Sequence, residues 1–193
     1  MLLIIDNQSS FIKKFKRNFL TEQNFPYRTI DHNEPVILKP DEKVQGLMLS
    51  GGKGSPYEPL NLTADFVSLM NFDVPTIGFC LGYEIIAVAY RGRIRRMDSY
   101  LKKMLRVKIT QPDDPIFHGL ISDEIILRQQ HQYQVSQLPP DFVKLGESEI
   151  CDIEIIRHKT KSIYGFQSHP EVSGVNGLLI IRNFLTMCGF EVI

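Results

Sequence analysis

Three short stretches of this sequence hold residue types that can do covalent chemistry. Residues 78–82 read Gly78-Phe79-Cys80-Leu81-Gly82, with an apolar run before them and a run of helical spacing after them. A tight turn from strand to helix projects its central side chain beyond the carboxyl edge of a sheet, where ligands bind in open α/β folds. Flanking glycines permit strained backbone angles and close approach of other chain segments. This is the pattern of a nucleophile elbow, with sulfur in place of the serine hydroxyl. Cys80 is then a candidate nucleophile, and the amide of Leu81 would face a developing oxyanion. The helix beginning there is expected to lower the thiol pKa through its positive end. Taken alone, the stretch fits a buried structural cysteine equally well.

A nucleophilic thiol needs a base. Of the five histidines, His169 stands in Gln167-Ser168-His169-Pro170-Glu171, directly after the strand-like run 163–167. A carboxylate two residues beyond a histidine can accept the imidazole proton and orient the ring, and Pro170 stiffens the link. Without Cys80 the same residues would read as a surface turn. The third stretch, 50-SGGKGS-55, closes another apolar run. Loops of this kind cradle phosphate or present backbone amides to a substrate oxygen. It lacks the Gly-Lys-Ser/Thr ending of a P-loop and is not GxGxxG. An amide from Gly52 could complete an oxyanion hole with that of Leu81, although alone the loop is that of an ordinary tight turn.

The elements that must hold these groups follow from hydrophobic patterning. Continuous apolar runs at 2–5, 46–50 and 75–79 read as strands buried on both faces, as in a parallel sheet, with a further strand near 27–30. Residues 11–20 place Phe11, Ile12, Phe15, Phe19 and Leu20 on one helical face, and 61–71, 82–91 and 175–187 also suit helices. Strand–helix alternation of this kind predicts an α/β fold: an open, mixed, largely parallel sheet flanked by helices. After residue 93 the pattern changes to successive strands at 104–110, 124–128, 142–148, 153–158 and 163–167, expected to add antiparallel strands at one side. No linker or repeat marks a second domain, so residues 1–193 are expected to form one.

Bulk properties narrow the class of function. The 193 residues carry equal numbers of basic and acidic side chains, 22 each. Zero formal net charge gives no general argument for nucleic acid or an anionic membrane as partner. The basic cluster 91-RGRIRR-96 reads either as a solvated turn or as a dock for an acidic partner, and is too short for a nucleic-acid platform. MLLIIDNQ does not read as a signal peptide, no run is long enough to span a bilayer, and the three cysteines are far apart, so a cytoplasmic protein with reduced thiols is expected. No Cys/His cluster has metal-ligand spacing, and no metal is expected.

The glycine-rich loop, the Gly-x-Cys-x-Gly elbow and the His-Pro-Glu near the C-terminus, in this order, resemble the class I (triad) glutamine amidotransferases over essentially the whole chain. The nearest likeness is to the separate glutaminase subunits of archaeal-type GMP synthases, carried by 2-LLIIDN-7, 46-GLMLSGGKGSP-56, 151–172 and 182-RNFLTMCGF-190. The resemblance implies a flavodoxin-like core. It implies that Cys80 attacks the carboxamide of glutamine, His169 moves the protons, Glu171 orients His169, and Gly52 and Leu81 hold the oxyanion. It places the glutamine pocket at Gly52, Gly54, Leu81, Glu84, Gln130, Gln132 and Tyr133. It further implies that ammonia passes to a separate ATP-pyrophosphatase-type synthetase that aminates xanthosine monophosphate, with ATP and Mg²⁺ bound by that partner and no cofactor in this chain. The chain departs from the family pattern in several places. Glu84 stands where glutamine is usual. His131-Gln132-Tyr133 replaces His-Gly-Asp, Gln8-Ser9-Ser10 replaces Gly-Gly-Gln, and Ser168 replaces phenylalanine. A changed pocket leaves open a stand-alone hydrolase of other γ-glutamyl amides, or a non-catalytic relative.

Overall fold

The computed structural model describes residues 1–21 and 24–191. Its centre is one nine-stranded sheet in the order β2-β1-β3-β4-β9-β8-β7-β5-β6. The strands are β1 (Leu2–Asp6), β2 (Tyr27–Asp31), β3 (Gly46–Leu49), β4 (Thr76–Phe79), β5 (Arg93–Ile109), β6 (Glu124–Gln137), β7 (Phe142–Glu147), β8 (Ile155–His158) and β9 (Ile163–Phe166). The first five in spatial order are mutually parallel. β8, β7, β5 and β6 extend them with antiparallel pairings. The parallel part follows the doubly wound order in which ligands bind outside the strand carboxyl ends. The expected α/β class and mixed sheet are what the chain adopts.

Helices cover both faces. They are α1 (Ser10–Phe15), α2 (Thr63–Asn71), α3 (Leu81–Ala89) and α4 (Gly174–Met187), and α1 runs on into a π-helical segment, Lys16–Thr21. The Ser9 side chain caps α1 by accepting from the Phe11 amide. Because β1, β3 and β4 are buried on both faces, their residues sort by parity. Leu2, Ile4, Met48 and Ile77 pack with α1 and α4 on one side, whereas Leu3, Ile5, Leu47 and Leu49 pack with α2 and α3 on the other. That double burial is why these strands read as unbroken apolar runs. No helix among the described residues is long and apolar enough to cross a membrane.

Two sequence expectations need correction. β5 begins at Arg93 rather than near 104, and β6 runs on to Gln137 rather than ending near 128. Together they form a long two-stranded ribbon whose register shifts between Arg96 and Leu101. Its distal part lacks a buried face, and residues 95–104 are mostly exposed, so no alternation announced it. The cluster at 91–96 is therefore largely strand and not a turn: Arg95 and Arg96 pair in register with Gln134 and Tyr133, and the Arg91 guanidinium meets Asp141 at 3.3 Å.

Candidate active site

The sheet's carboxyl edge gathers the three stretches. β4 ends at Phe79, Cys80 makes the turn, and α3 starts at Leu81. Cys80 has φ 49° and ψ −105°, a region L-residues rarely occupy, at a cost of about 1–3 kcal/mol. Its amide is anchored to the Phe166 carbonyl at 2.8 Å, so the turn is held from the neighbouring β9. The flanking glycines are required by contact, not by dihedral. A Cβ on Gly78 would lie 2.6 Å from the Gly82 carbonyl oxygen, and one on Gly82 would lie 2.3 Å from that of Leu49. Both obstacles are backbone and cannot yield cheaply. Gly82→Ala is therefore expected to destabilise the fold by about 2 kcal/mol or more, lowering the melting temperature by roughly 5 °C or more. A thermal melt followed by circular dichroism would read this, and an unshifted melt would contradict it.

The candidate base arrives on β9, paired in parallel with β4. His169 Nδ1 donates to Glu171 Oε1 at 2.8 Å, and both residues are buried. The short helical turn Pro170–Val172 opens on Pro170 and brings the carboxylate back under the ring. The His169 amide donates to the Arg128 carbonyl at 2.8 Å, so β6 fixes the backbone of the base. The ring of Phe11 stands edge-on to the imidazole, with centroids 4.7 Å apart. On the opposite side Gly51 leaves room for it: a Cβ there would lie 2.7 Å from His169 Cε1 and 3.5 Å from Cys80 Cβ. Gly51, Cys80 and His169 thus meet at one point.

The sulfur is a thiol at rest. Cys80 Sγ lies 3.6 Å from the Gln130 carbonyl, where an S–H can donate and a thiolate would be repelled. Burial pushes the thiol pKa up, His169 pulls it down, and the Glu84 and Glu171 carboxylates push it up again. The expected lowering by the helix N-terminus is outweighed by loss of water around the sulfur. Burial also works against a charged His169. Even so, next to Glu171 and an ionised Cys80 its imidazolium is held up to about 10. An imidazolium between two anions is what proton transfer from thiol to imidazole would produce.

A cavity of about 710 Å³ opens over Cys80 and His169, and Gly52, Gly54, Glu84, Gln130, Gln132 and Tyr133 line it as the sequence leads one to expect. Leu81 does not line it but lies directly beneath the glycine loop. A Cβ on Gly52 would come within 2.8 Å of Leu81 Cδ2, so the two amides proposed for an oxyanion are neighbours. Gly54 has φ 89°, which suits glycine. The Tyr133 hydroxyl donates to Glu58 Oε1 at 2.9 Å across the cavity rim. Glu84 lies on α3 and is buried. Its Oε1 accepts from Gln167 Nε2 at 3.2 Å, while Oε2 has no partner. Burial lifts its carboxyl to about 8, so it is largely protonated at neutral pH.

The cavity also recruits residues the sequence reading passed over: Gln8, Phe11, Lys53, Glu58, Tyr100 and His131. Tyr100 was invisible because it lies on the unrecognised half of β5. Gln8 has φ 63° and forms an isolated antiparallel bridge with Gly52, so the segment after β1 lies across the glycine loop. Its polar cluster, Asn7-Gln8-Ser9-Ser10, was the available signal. His131 is kept neutral, since burial lowers it to about 4 although its Nδ1 pairs with the Tyr133 carbonyl at 2.7 Å.

Comparison with known proteins agrees with this geometry. The family model "Glutamine amidotransferase class-I" matches residues 3–188. A protein of Methanococcus maripaludis, named as the glutamine-hydrolyzing subunit of GMP synthase, is 34% identical over 99% of this chain and 98% of its own length. The protein of the same name from Methanocaldococcus jannaschii is 30% identical, with 99% of each chain covered. Among solved structures, a Thermoplasma acidophilum protein described as a GMP synthase subunit superposes with a TM-score of 0.82 at 26% identity, covering 97% of this chain and 93% of its own. A glutamine amidotransferase of Thermotoga maritima, 18% identical with a TM-score of 0.73, shares the fold over 96% of this chain and 81% of its own. With a nucleophile elbow, a histidine–glutamate pair and a family match spanning nearly every residue, the chain belongs to the class I glutamine amidotransferases.

Proposed function

We propose that this chain is the glutaminase subunit of a two-part GMP synthase, hydrolysing glutamine through Cys80, His169 and Glu171. The observation that carries the reading is the strained Cys80 turn sharing one cavity with a histidine that is itself fixed by a carboxylate at 2.8 Å. In this reading the Cys80 proton passes to His169 and the sulfur adds to the glutamine carboxamide carbon. The oxyanion so formed is met by the amides of Gly52 and Leu81. Collapse breaks the C–N bond, His169 protonates the leaving ammonia, and a γ-glutamyl thioester remains on Cys80. Water, deprotonated by His169, adds to the thioester and releases glutamate. Glu171 holds the imidazole tautomer and offsets the imidazolium charge throughout. Gly54, Glu84, Gln130, Gln132 and Tyr133 form the walls that hold glutamine.

The relatives named as glutamine-hydrolyzing subunits of GMP synthase support a separate synthetase as recipient of the ammonia, with xanthosine monophosphate as acceptor and ATP and Mg²⁺ bound on that partner, in the cytoplasm. A second reading rests on Glu84. A buried carboxyl with one unpartnered oxygen at the cavity offers a donor when neutral, which suits a γ-glutamyl amide other than glutamine for a hydrolase acting alone.

Covalent labelling by a glutamine-mimicking diazo-ketone, read by intact mass, tests the reading. One adduct is expected, blocked by excess glutamine. A thiol that a general alkylating reagent modifies but the glutamine analogue does not, with a candidate synthetase present, would sink it. Faster turnover of another γ-glutamyl amide without any synthetase would favour the second reading.

A further inference from the structure

A buried carboxylate that takes no part in the chemistry above lies beneath the glycine loop. Asp65 stands in the first turn of α2, fully buried. Its Oδ1 accepts from Asn7 Nδ2 at 3.0 Å. The same amide nitrogen gives its other proton to the Ser50 carbonyl at 3.0 Å. Asn7 also donates its backbone N–H to Ser50 Oγ at 2.8 Å, and that hydroxyl donates onward to the Gly51 carbonyl at 2.9 Å. Asn7 and Ser50 are both buried, so water does not compete for these bonds.

The chain of bonds ends at the peptides whose amides matter. A peptide is planar and trans, so fixing the direction of its C=O fixes its N–H on the opposite side. The Ser50 carbonyl turned toward Asn7 sets the Gly51 amide. The Gly51 carbonyl turned toward Ser50 Oγ sets the Gly52 amide, one of the two donors proposed for the oxyanion. Glycine loops have no side chains to hold their own peptides in place. Here the restraint comes from outside the loop, through a serine and an asparagine, and its last member is Asp65. We infer that Asp65 is a positioning residue for the glutaminase reaction, holding the Gly51–Gly52 peptide through Asn7 and Ser50 so that the Gly52 amide is aimed before substrate arrives.

The inference rests on the proposed glutaminase activity and reaches beyond it. A donor aimed in advance acts on the oxyanion rather than on bound glutamine, so its loss lowers kcat more than it raises KM. There is also a pH signature. Burial lifts the Asp65 carboxyl to about 6, opposed by the Asn7 bond and by His32, the titratable neighbour acting on it from the turn after β2. Above that pH Asp65 is a carboxylate and holds Asn7 firmly; below it the neutral acid is a weaker acceptor.

The test is basal glutamine hydrolysis by the whole chain, measured as ammonia release from pH 5 to 8, beside the rate at which iodoacetamide alkylates Cys80. Asp65→Ala is expected to lose about tenfold in kcat, with KM and the alkylation rate within about twofold of wild type. Asp65→Asn, which keeps an acceptor for Asn7, should recover most of that loss and lack the wild-type rise in kcat near pH 6. Should Asp65→Ala not fold, Ser50→Ala cuts the same chain of bonds one step nearer the loop and should show the same loss confined to kcat. Unchanged kcat in a folded Asp65→Ala or Ser50→Ala, or equal losses in kcat and alkylation, would overturn the inference while leaving the glutaminase reading intact. A wild-type chain that neither releases ammonia nor reacts with the glutamine analogue would overturn both.

Discussion

Cys80→Ala is expected to be folded and inactive, with glutamine hydrolysis reduced by about 10⁴-fold or more, because no neighbouring group can replace the sulfur as nucleophile. Cys188 and Cys151 are buried elsewhere and do not line the cavity over His169. Labelling by the diazo-ketone should vanish together with turnover. The stronger form of this prediction concerns stability. Cys80 has a positive φ that glycine adopts without strain, so Cys80→Gly should be as inactive as the alanine variant yet more stable than wild type, by about 1 kcal/mol. Thermal melts of the three proteins decide the matter. A glycine variant that melts below wild type would mean that the turn is not strained as described. Residual labelling in Cys80→Ala would mean that another thiol reacts.

The second large effect is expected at position 84. Glu84 is buried on α3 with a single amide donor, and burial raises its pKa from 4.5 to about 8. The unfolded chain loses this proton near the ordinary carboxylate value while the folded chain keeps it. Between those two values the folded state binds more protons, so stability falls as pH rises through that window. Glu84→Gln removes the titration and keeps an acceptor for Gln167 Nε2. It should stabilise the protein at pH 8 by about 4 kcal/mol, near 10 °C in melting temperature, and by less than about 1 kcal/mol at pH 5. The same change should speed labelling of Cys80 at alkaline pH, because an ionised Glu84 opposes thiolate formation. Equal melting shifts at pH 5 and pH 8 would show that Glu84 does not titrate in this window.

The sequence carried the chemistry further than it carried the architecture around it. Cys80, His169 and Glu171 were legible because strand-end turns and a His-Pro-Glu triplet have local signatures. The elbow glycines were legible as a pattern, although their cause is close packing of Gly78 on Gly82 and of Gly82 on Leu49, which spacing cannot reveal. The central strands were legible because both faces are buried. The ribbon of β5 and β6 was legible only where one face meets the core. Its outer half, with Tyr100 and the arginines at 93, 95 and 96, is held by cross-strand bonds between polar residues, which leave no periodicity. Asn7 and Asp65 had no signature. They lie 58 positions apart and meet only because β1 and the start of α2 flank the same loop.

The placement of β9 beside β4 has a consequence for how the enzyme comes into being. Thr76 faces Ile163 across that pairing, so nucleophile and base are joined by one of the last contacts the chain can make as it is synthesised. Closing so long a loop is slow relative to local structure. Until β9 inserts, Cys80 lacks its anchor at Phe166 as well as His169, and its turn has nothing to hold it strained. An unfinished or locally opened chain therefore carries a quiescent cysteine, and glutamine is safe from it. In a refolding experiment, glutaminase activity and diazo-ketone reactivity should appear together in the final phase, after most of the helical signal has already returned.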